Sequence, residues 1–87
     1  MLIYGDVLSN SMSRAFIMVD VAPGHAETLQ MTIADMDTVT SAHIIAGDYD
    51  LLIEAQSDDV NTLIHSVVTR VRSHTDVIDT KTYICLE

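Results

Sequence analysis

FIMVDVAPGHAETLQMTI, residues 16–33, is the stretch that decides the fold. Together with the residues just before it, it begins as an extended segment apolar on both sides. Ala15, Ile17, Val19 and Val21 fall on one face, Phe16 and Met18 on the other. A strand of that kind lies centrally in a sheet, with something covering each side. Pro23 and Gly24 break it, and proline suits the first turn of a helix. From there Ala26, Leu29, Ile33 and Met36 recur at helical spacing and predict one buried stripe.

The same pattern then returns. Residues 16–33 align without gaps on the stretch that begins DLLIEAQSDDVNTLIHSV at Asp50, placing Thr28-Leu29 over Thr62-Leu63. Asp58 and Asp59 open the second helix, as caps and as anions at its positive end. Val60, Leu63, Ile64, Val67, Val68 and Val71 form its apolar stripe, and Arg70 and Arg72 sit near its C-terminus. MDTVT stops the first helix. SAHIIA and YDLLIEA read as short strands on either side of a corner at Gly47, and VIDTKTYICLE closes the chain as a strand rich in β-branched residues.

The predicted order is β-α-β-β-α-β. Two βαβ-like halves joined by a hairpin make the α+β, ferredoxin-like architecture, an antiparallel sheet with both helices on one face. The open face then carries Phe16, Met18 and Leu52. Apolar surface of this kind marks an interface, so a homodimer through the open sheet face is expected. Residues 1–13 differ in character and read as a leader or arm without stable order, with an edge strand at residues 2–4 as the alternative; Met12 is an alternative start. The domain proper is residues 14–87.

Composition narrows the function. At 87 residues there is room for one core, and so short a chain gains from association. Its net charge is −9, with only Arg14, Arg70, Arg72 and Lys81 as cations. Nucleic-acid binding needs clustered Lys and Arg to release counterions, which four scattered cations do not provide. The acidity also fits adaptation to high salt. Cys85 stands alone, no apolar run approaches the roughly 20 residues of a membrane span, and the N-terminus has no basic, continuously apolar start. The expectation is a soluble protein of a reducing cytoplasm, with no membrane contact.

Few residues carry chemistry. His25, His43, His65 and His74 show no close spacing, whereas a zinc site draws on converging ligands at short intervals, so no metal is expected. Cys85 lies in the last strand, where a half-buried thiol serves as a small hydrophobe. No nucleophile elbow, phosphate-cradling loop or dinucleotide fingerprint is present, and neither a catalytic residue nor a cofactor is assigned. Asp58 and Asp59 are explained by helix capping. That leaves the corner GDYD. Gly47 has a structural reason there, tolerance of positive φ, and Asp48 is an ordinary turn residue. Asp50 is unusual, because aspartate is depleted in strands and a carboxylate at the mouth of an apolar sheet needs donors. Thr80 and Thr82 in the last strand supply hydroxyls.

The stretch AGDYDLLIEA, the Asp-Asp helix start and the terminal VIDTKTYICLE together resemble the effector-binding (RAM) domain of the Lrp/AsnC transcriptional regulators, over about residues 14–87. A G-x-x-D turn and a DT-K/R-T-Y strand recur in that family at comparable separation. The resemblance implies sheet-paired dimers that build octameric rings, with small effectors, usually amino acids, bound between neighbouring dimers near the turn. By position, Gly47, Asp48 and Tyr49 would shape the pocket through their backbone, Asp50 would face the ligand's ammonium group, and Thr80 and Thr82 would line it. Typical members carry an N-terminal helix-turn-helix, for which the segment before residue 14 is too short. The resemblance therefore implies a stand-alone effector domain without its own DNA-binding domain, acting through oligomer assembly or mixed assemblies with a helix-turn-helix relative. The alternatives are a small dimeric α+β barrel enzyme, to which His43 and Tyr83 would contribute, and a ligand-free assembly scaffold.

Overall fold

A computed structural model describes residues 12–86. The leader expected over residues 1–13, with its alternative strand at 2–4, lies outside the described residues except for Met12 and Ser13. The elements are β1 Ser13–Val21, α1 Ala26–Ala34, β2 Val39–Ile44, β3 Leu51–Ser57, α2 over residues 60–72, and β4 Val77–Ile84. This is the expected β-α-β-β-α-β order. Three strands shift their bounds: β2 starts two residues before SAHIIA and ends two before its end, β3 starts two residues later than YDLLIEA, and β4 stops at Ile84. The connection between β2 and β3 is therefore six residues long, not the two- or three-residue corner expected. Its ends are held by the Ile45 N–H donating to the Asp50 carbonyl at 2.9 Å.

The sheet runs β2-β3-β1-β4 with every neighbouring pair antiparallel. Alternation fixes its two faces. Ala15, Ile17, Val19 and Val21 of β1 and Leu51, Ile53 and Ala55 of β3 are buried beneath the helices, together with Leu29 and Ile33 of α1 and Leu63, Val67, Val68 and Val71 of α2. The internal repeat is visible in this core. Ile17, Val19, Val21, Leu29 and Ile33 correspond at constant separation to Leu51, Ile53, Ala55, Leu63 and Val67, and all ten are buried. Each half thus contributes one strand face and one helix stripe to a shared interior.

The second helix departs from its twin in the middle. Two short α-helical turns, Val60–Leu63 and Thr69–Arg72, flank a π-helical stretch, Ile64–Val68. The Thr69 hydroxyl donates to the Ile64 carbonyl at 3.0 Å, across the widened turn. The six-residue stripe expected from the sequence splits: Leu63, Val67, Val68 and Val71 stay in the core, while Val60 and Ile64 are each 38% exposed. At the start of this helix, Asp59 caps as expected, its Oδ1 accepting from the Thr62 N–H at 2.7 Å.

Because β1 and β2 both run antiparallel to β3, and β4 runs antiparallel to β1, three connections gather at one end of the sheet. They are residues 22–25, 45–50 and 73–76. The Ala22 N–H donates to the Asp76 carbonyl at 2.8 Å and ties the first connection to the third. At this same end β1 carries an irregularity in its pairing with β4, between Asp20 and Val21.

Candidate functional site

The turn singled out in the sequence lies at this loop-rich end. Its last residue, Asp50, is held by three hydrogen bonds. The Asp50 N–H donates to the Val19 carbonyl at 2.9 Å, its carbonyl accepts from Ile45, and its Oδ2 accepts from the Val21 N–H at 2.8 Å. The carboxylate thereby takes the place of a ladder acceptor where the β1–β3 pairing ends. The donor that this unusual aspartate needs is thus a backbone N–H, and the fold itself gives Asp50 a structural role. Gly47 moves the other way. The positive φ expected of it is found at Gly24 (φ 84°), where the chain leaves β1, and not at Gly47. A Cβ added at Gly47 meets nothing within 4 Å, so among the described residues neither backbone conformation nor crowding requires glycine there.

Across the sheet end, three carboxylates share one face. Asp20 pairs in register with Asp79, and the Asp50 side chain lies beside that of Asp20. Desolvation raises the Asp20 carboxyl above its ordinary value, and Asp50 and Asp79 push the same way. The open face continues from this row into half-buried Met18, Leu52 and Phe16 and into Tyr83, which is 53% exposed.

Thr80 and Thr82 sit on the other side of the sheet. They pair with the buried Val19 and Ile17, so their side chains point toward the helices. There they line an open cleft of about 680 Å³ between β4 and α2, bordered by Ile64 and Val68 of the π-helical stretch, Arg72 at the end of α2, and Ile84. The structure thus brings Gly47, Asp48, Tyr49 and Asp50 into one connection and Thr80 and Thr82 into one cleft. It does not bring the two groups together within a chain, because the sheet stands between the Asp50 carboxylate and the threonine hydroxyls.

Two histidines that looked scattered do converge. His25 Nδ1 lies 3.5 Å and His74 Nδ1 3.9 Å from Asp76 Oδ2, and His25 links the first connection to the third when its imidazole is protonated. Their 49-residue separation left no local signal in the sequence. The arrangement is not a metal centre: His74 Nδ1 accepts from the Asp76 N–H at 3.3 Å, which directs its lone pair to the backbone. Among the described residues no group of three or more His, Cys, Asp or Glu side chains is placed to hold a metal ion. His43 and Tyr83 stand on opposite edge strands, β2 and β4, on the open face. With strands about 4.8 Å apart they are separated by roughly 14 Å or more and form no joint site. Cys85 is a half-buried free thiol, and no helix among the described residues is long and apolar enough to cross a membrane.

Solved structures share this fold. A hypothetical protein from Pyrococcus horikoshii superposes with a TM-score of 0.80 at 24% identity, covering 86% of this chain and 90% of that one. E. coli AsnC gives a TM-score of 0.79 at 20% identity, covering 94% of this chain and 58% of AsnC. A transcriptional regulator from Neisseria meningitidis, solved as its L-Met complex, gives 0.76 at 26% identity, covering 100% of this chain and 60% of that one. The chain thus spans somewhat over half the length of these two regulators. No curated protein sequence matches it. The family model of the Lrp/AsnC ligand binding domain matches residues 14–87, which takes in both helices, the whole sheet, the 45–50 turn and the threonine-bearing strand. The chain belongs to the Lrp/AsnC ligand-binding domain family.

Proposed function

We propose that this chain is the amino-acid-sensing part of a transcription regulator, binding its effector where subunits meet and acting through assembly rather than catalysis. The observation that carries the reading is the 45–50 turn. It is pinned at both ends, yet Gly47 occupies a position that the fold leaves free to bear a side chain. A glycine with no use inside the chain is useful where another chain or a ligand comes close to the backbone. Family membership over residues 14–87 supports an effector as that ligand, and the Neisseria regulator's L-Met complex supports an amino acid as its class.

The two faces of the sheet explain why such a site involves two chains. Asp50 and its neighbours lie toward the open face, Thr80 and Thr82 toward the helices, so one small ligand reaches both sets only if they come from different subunits. In this reading Gly47, Asp48 and Tyr49 present backbone groups, Asp50 takes the ammonium group by a charge-assisted hydrogen bond, and Thr80 and Thr82 of a neighbouring subunit offer hydroxyls. The open face, with Phe16, Met18 and Leu52, forms the homodimer, and dimers assemble further, up to an octameric ring. A ligand that completes its site between subunits stabilises the oligomer that supplies it. Control of transcription then passes through a helix-turn-helix relative in a mixed assembly, without direct nucleic-acid contact by this acidic chain, in the cytoplasm.

Calorimetry against the amino acids, paired with mass measurement, tests this. One amino acid is expected to bind and to change the oligomer's mass. Asp50→Asn keeps an oxygen for the Val21 N–H while removing the charge, so it is expected to lose binding by tenfold or more and to keep the fold. Undiminished affinity in that variant removes Asp50 from the site. Turnover of any substrate would favour the barrel enzyme, and silence toward every amino acid the scaffold.

A further inference from the structure

The open face of the sheet joins its apolar centre directly to a row of acids. β1 is a central strand, and Phe16, Met18 and Asp20 follow one another on its open side. Successive residues on one side of a strand lie about 7 Å apart, so Asp20 stands one side-chain step beyond Met18. Asp79 of β4 is its partner in register, and Asp50, at the end of the 45–50 connection, lies beside it. The cations of this face are placed elsewhere. Lys81 pairs with Met18 from the exposed edge strand β4, and Arg14, at the far end of β1, is engaged with Glu54 at 3.4 Å. His43 lies across from Leu52 on the other edge strand, and the loops beyond Val21 add His25 and His74, both close to Asp76. Asp50 Oδ2 accepts from the Val21 N–H, whereas among the described residues no backbone N–H donates to the Asp20 carboxylate. Half-buried and flanked by two acids, Asp20 is the member of the row whose carboxyl is raised, by desolvation first and then by Asp50 and Asp79.

We infer that association through this face is proton-linked: two copies close over the Asp20 row as its carboxyl takes up a proton, so the dimer tightens as pH falls. The inference rests on the reading of the open face as the dimer interface. A surface that covers Phe16, Met18 and Leu52 on the two central strands also covers Asp20, and a two-fold dimer does so twice. Covering strips water from the carboxylate, and an ion without a partner is costly away from water, whereas the protonated carboxyl is far less so. The dimer therefore holds this proton more tightly than the separated chain does. Association is strengthened as pH falls through the dimer's value for Asp20, and it ceases to depend on this group below the separated chain's value. The step moves one proton from solvent onto each Asp20 carboxylate, with no other bond made or broken.

Sedimentation equilibrium of the whole chain, in about 0.5 M salt to screen general repulsion, gives the dimer Kd at about pH 7.5 and about pH 5. The Kd is expected to fall about threefold or more toward the lower pH. Asp20→Asn is expected to dimerise at the higher pH as tightly as the parent does at the lower, with a Kd that changes less than about twofold between them. Asp37→Asn, exposed in the connection between α1 and β2 at the opposite end of the sheet, removes the same charge and is expected to keep the parent's response. Dilution calorimetry of the parent in two buffers of different ionisation enthalpy needs no variant, and it is expected to show protons taken up on association. A parent dimer whose Kd is the same at both pH values overturns the inference and leaves the dimer reading standing. A chain that is monomeric at both overturns that reading and the inference with it. A pH response that survives in Asp20→Asn belongs to His43 or another group, and one flattened equally by Asp37→Asn belongs to net charge. Either result overturns the inference, as does association without proton uptake.

Discussion

Asp20 and Asp79 on adjacent strands and Asp50 at the end of the 45–50 connection crowd one end of the sheet, and their proximity has a pH consequence. Because the folded protein raises the Asp20 carboxyl above 3.8, the native state holds that proton longer than the unfolded chain does. Its contribution to stability is fully present below the unfolded value and is lost as pH rises through the raised folded value. Asp20→Asn is therefore expected to melt higher than the parent at pH 7, with the difference shrinking as the pH is lowered through the acid range; thermal unfolding followed by circular dichroism measures both. Gly47 gives a second residue-level prediction. Gly47→Ala meets no atom and no positive φ, so it is expected to raise stability by about 0.4–1 kcal/mol through the unfolded state while weakening effector binding. A variant that binds as tightly as the parent would show that the turn's backbone needs no close approach. Asp50→Ala deprives the Val21 N–H of its acceptor and is expected to cost about 1 kcal/mol, whereas Asp50→Asn spares that bond.

Among the elements, α2 departs furthest from what periodicity alone implies. The apolar positions of residues 60–71 satisfy an ordinary helix, and nothing local announces the wider turn at Ile64–Val68. That turn depends on how the helix seats on the sheet. Leu63 before it and Val67 within it both reach the core, equivalent to Leu29 and Ile33 of the regular first helix, while Ile64 stays 38% exposed. Leu63→Ala removes a fully buried side chain and is expected to cost about 2–5 kcal/mol, measured by urea denaturation. At the helix start, hydrogen bonds from Thr62 hold the Asp59 carboxyl below its ordinary value. That cap contributes stability above the unfolded value, and the contribution disappears as pH falls through the lowered folded value. Asp59→Ala is expected to lower the melting temperature at pH 7 and to match the parent in strong acid.

For the molecule as a whole, the apolar open face and the heavy acidity set the terms of association. Phe16→Asp places a charge in the middle of the face proposed for dimerisation, and light scattering is expected to show the monomer's mass at micromolar concentration where the parent shows the dimer's. An unchanged dimer would move the interface elsewhere. With a net charge of −9 on 87 residues, self-repulsion opposes both folding and association, so added salt is expected to raise the melting temperature. The alternating apolar strands, the 3.6-residue stripes and the repeat between residues 16–33 and their counterparts determined the element order, the core and the open face, because burial periodicity is a local property of the chain. Within the proposed site, the 45–50 turn stood out in the sequence because glycine and aspartate are conspicuous where strands are expected. Only the tertiary structure decided the rest. It gave Asp50 a backbone partner 29 positions away, freed Gly47 of any internal duty, brought His25 and His74 to one carboxylate, and set the threonines on the opposite side of the sheet from Asp50. These depend on strand register and on how a helix settles against a sheet, which arise from contacts far apart in sequence and leave no periodic trace in it.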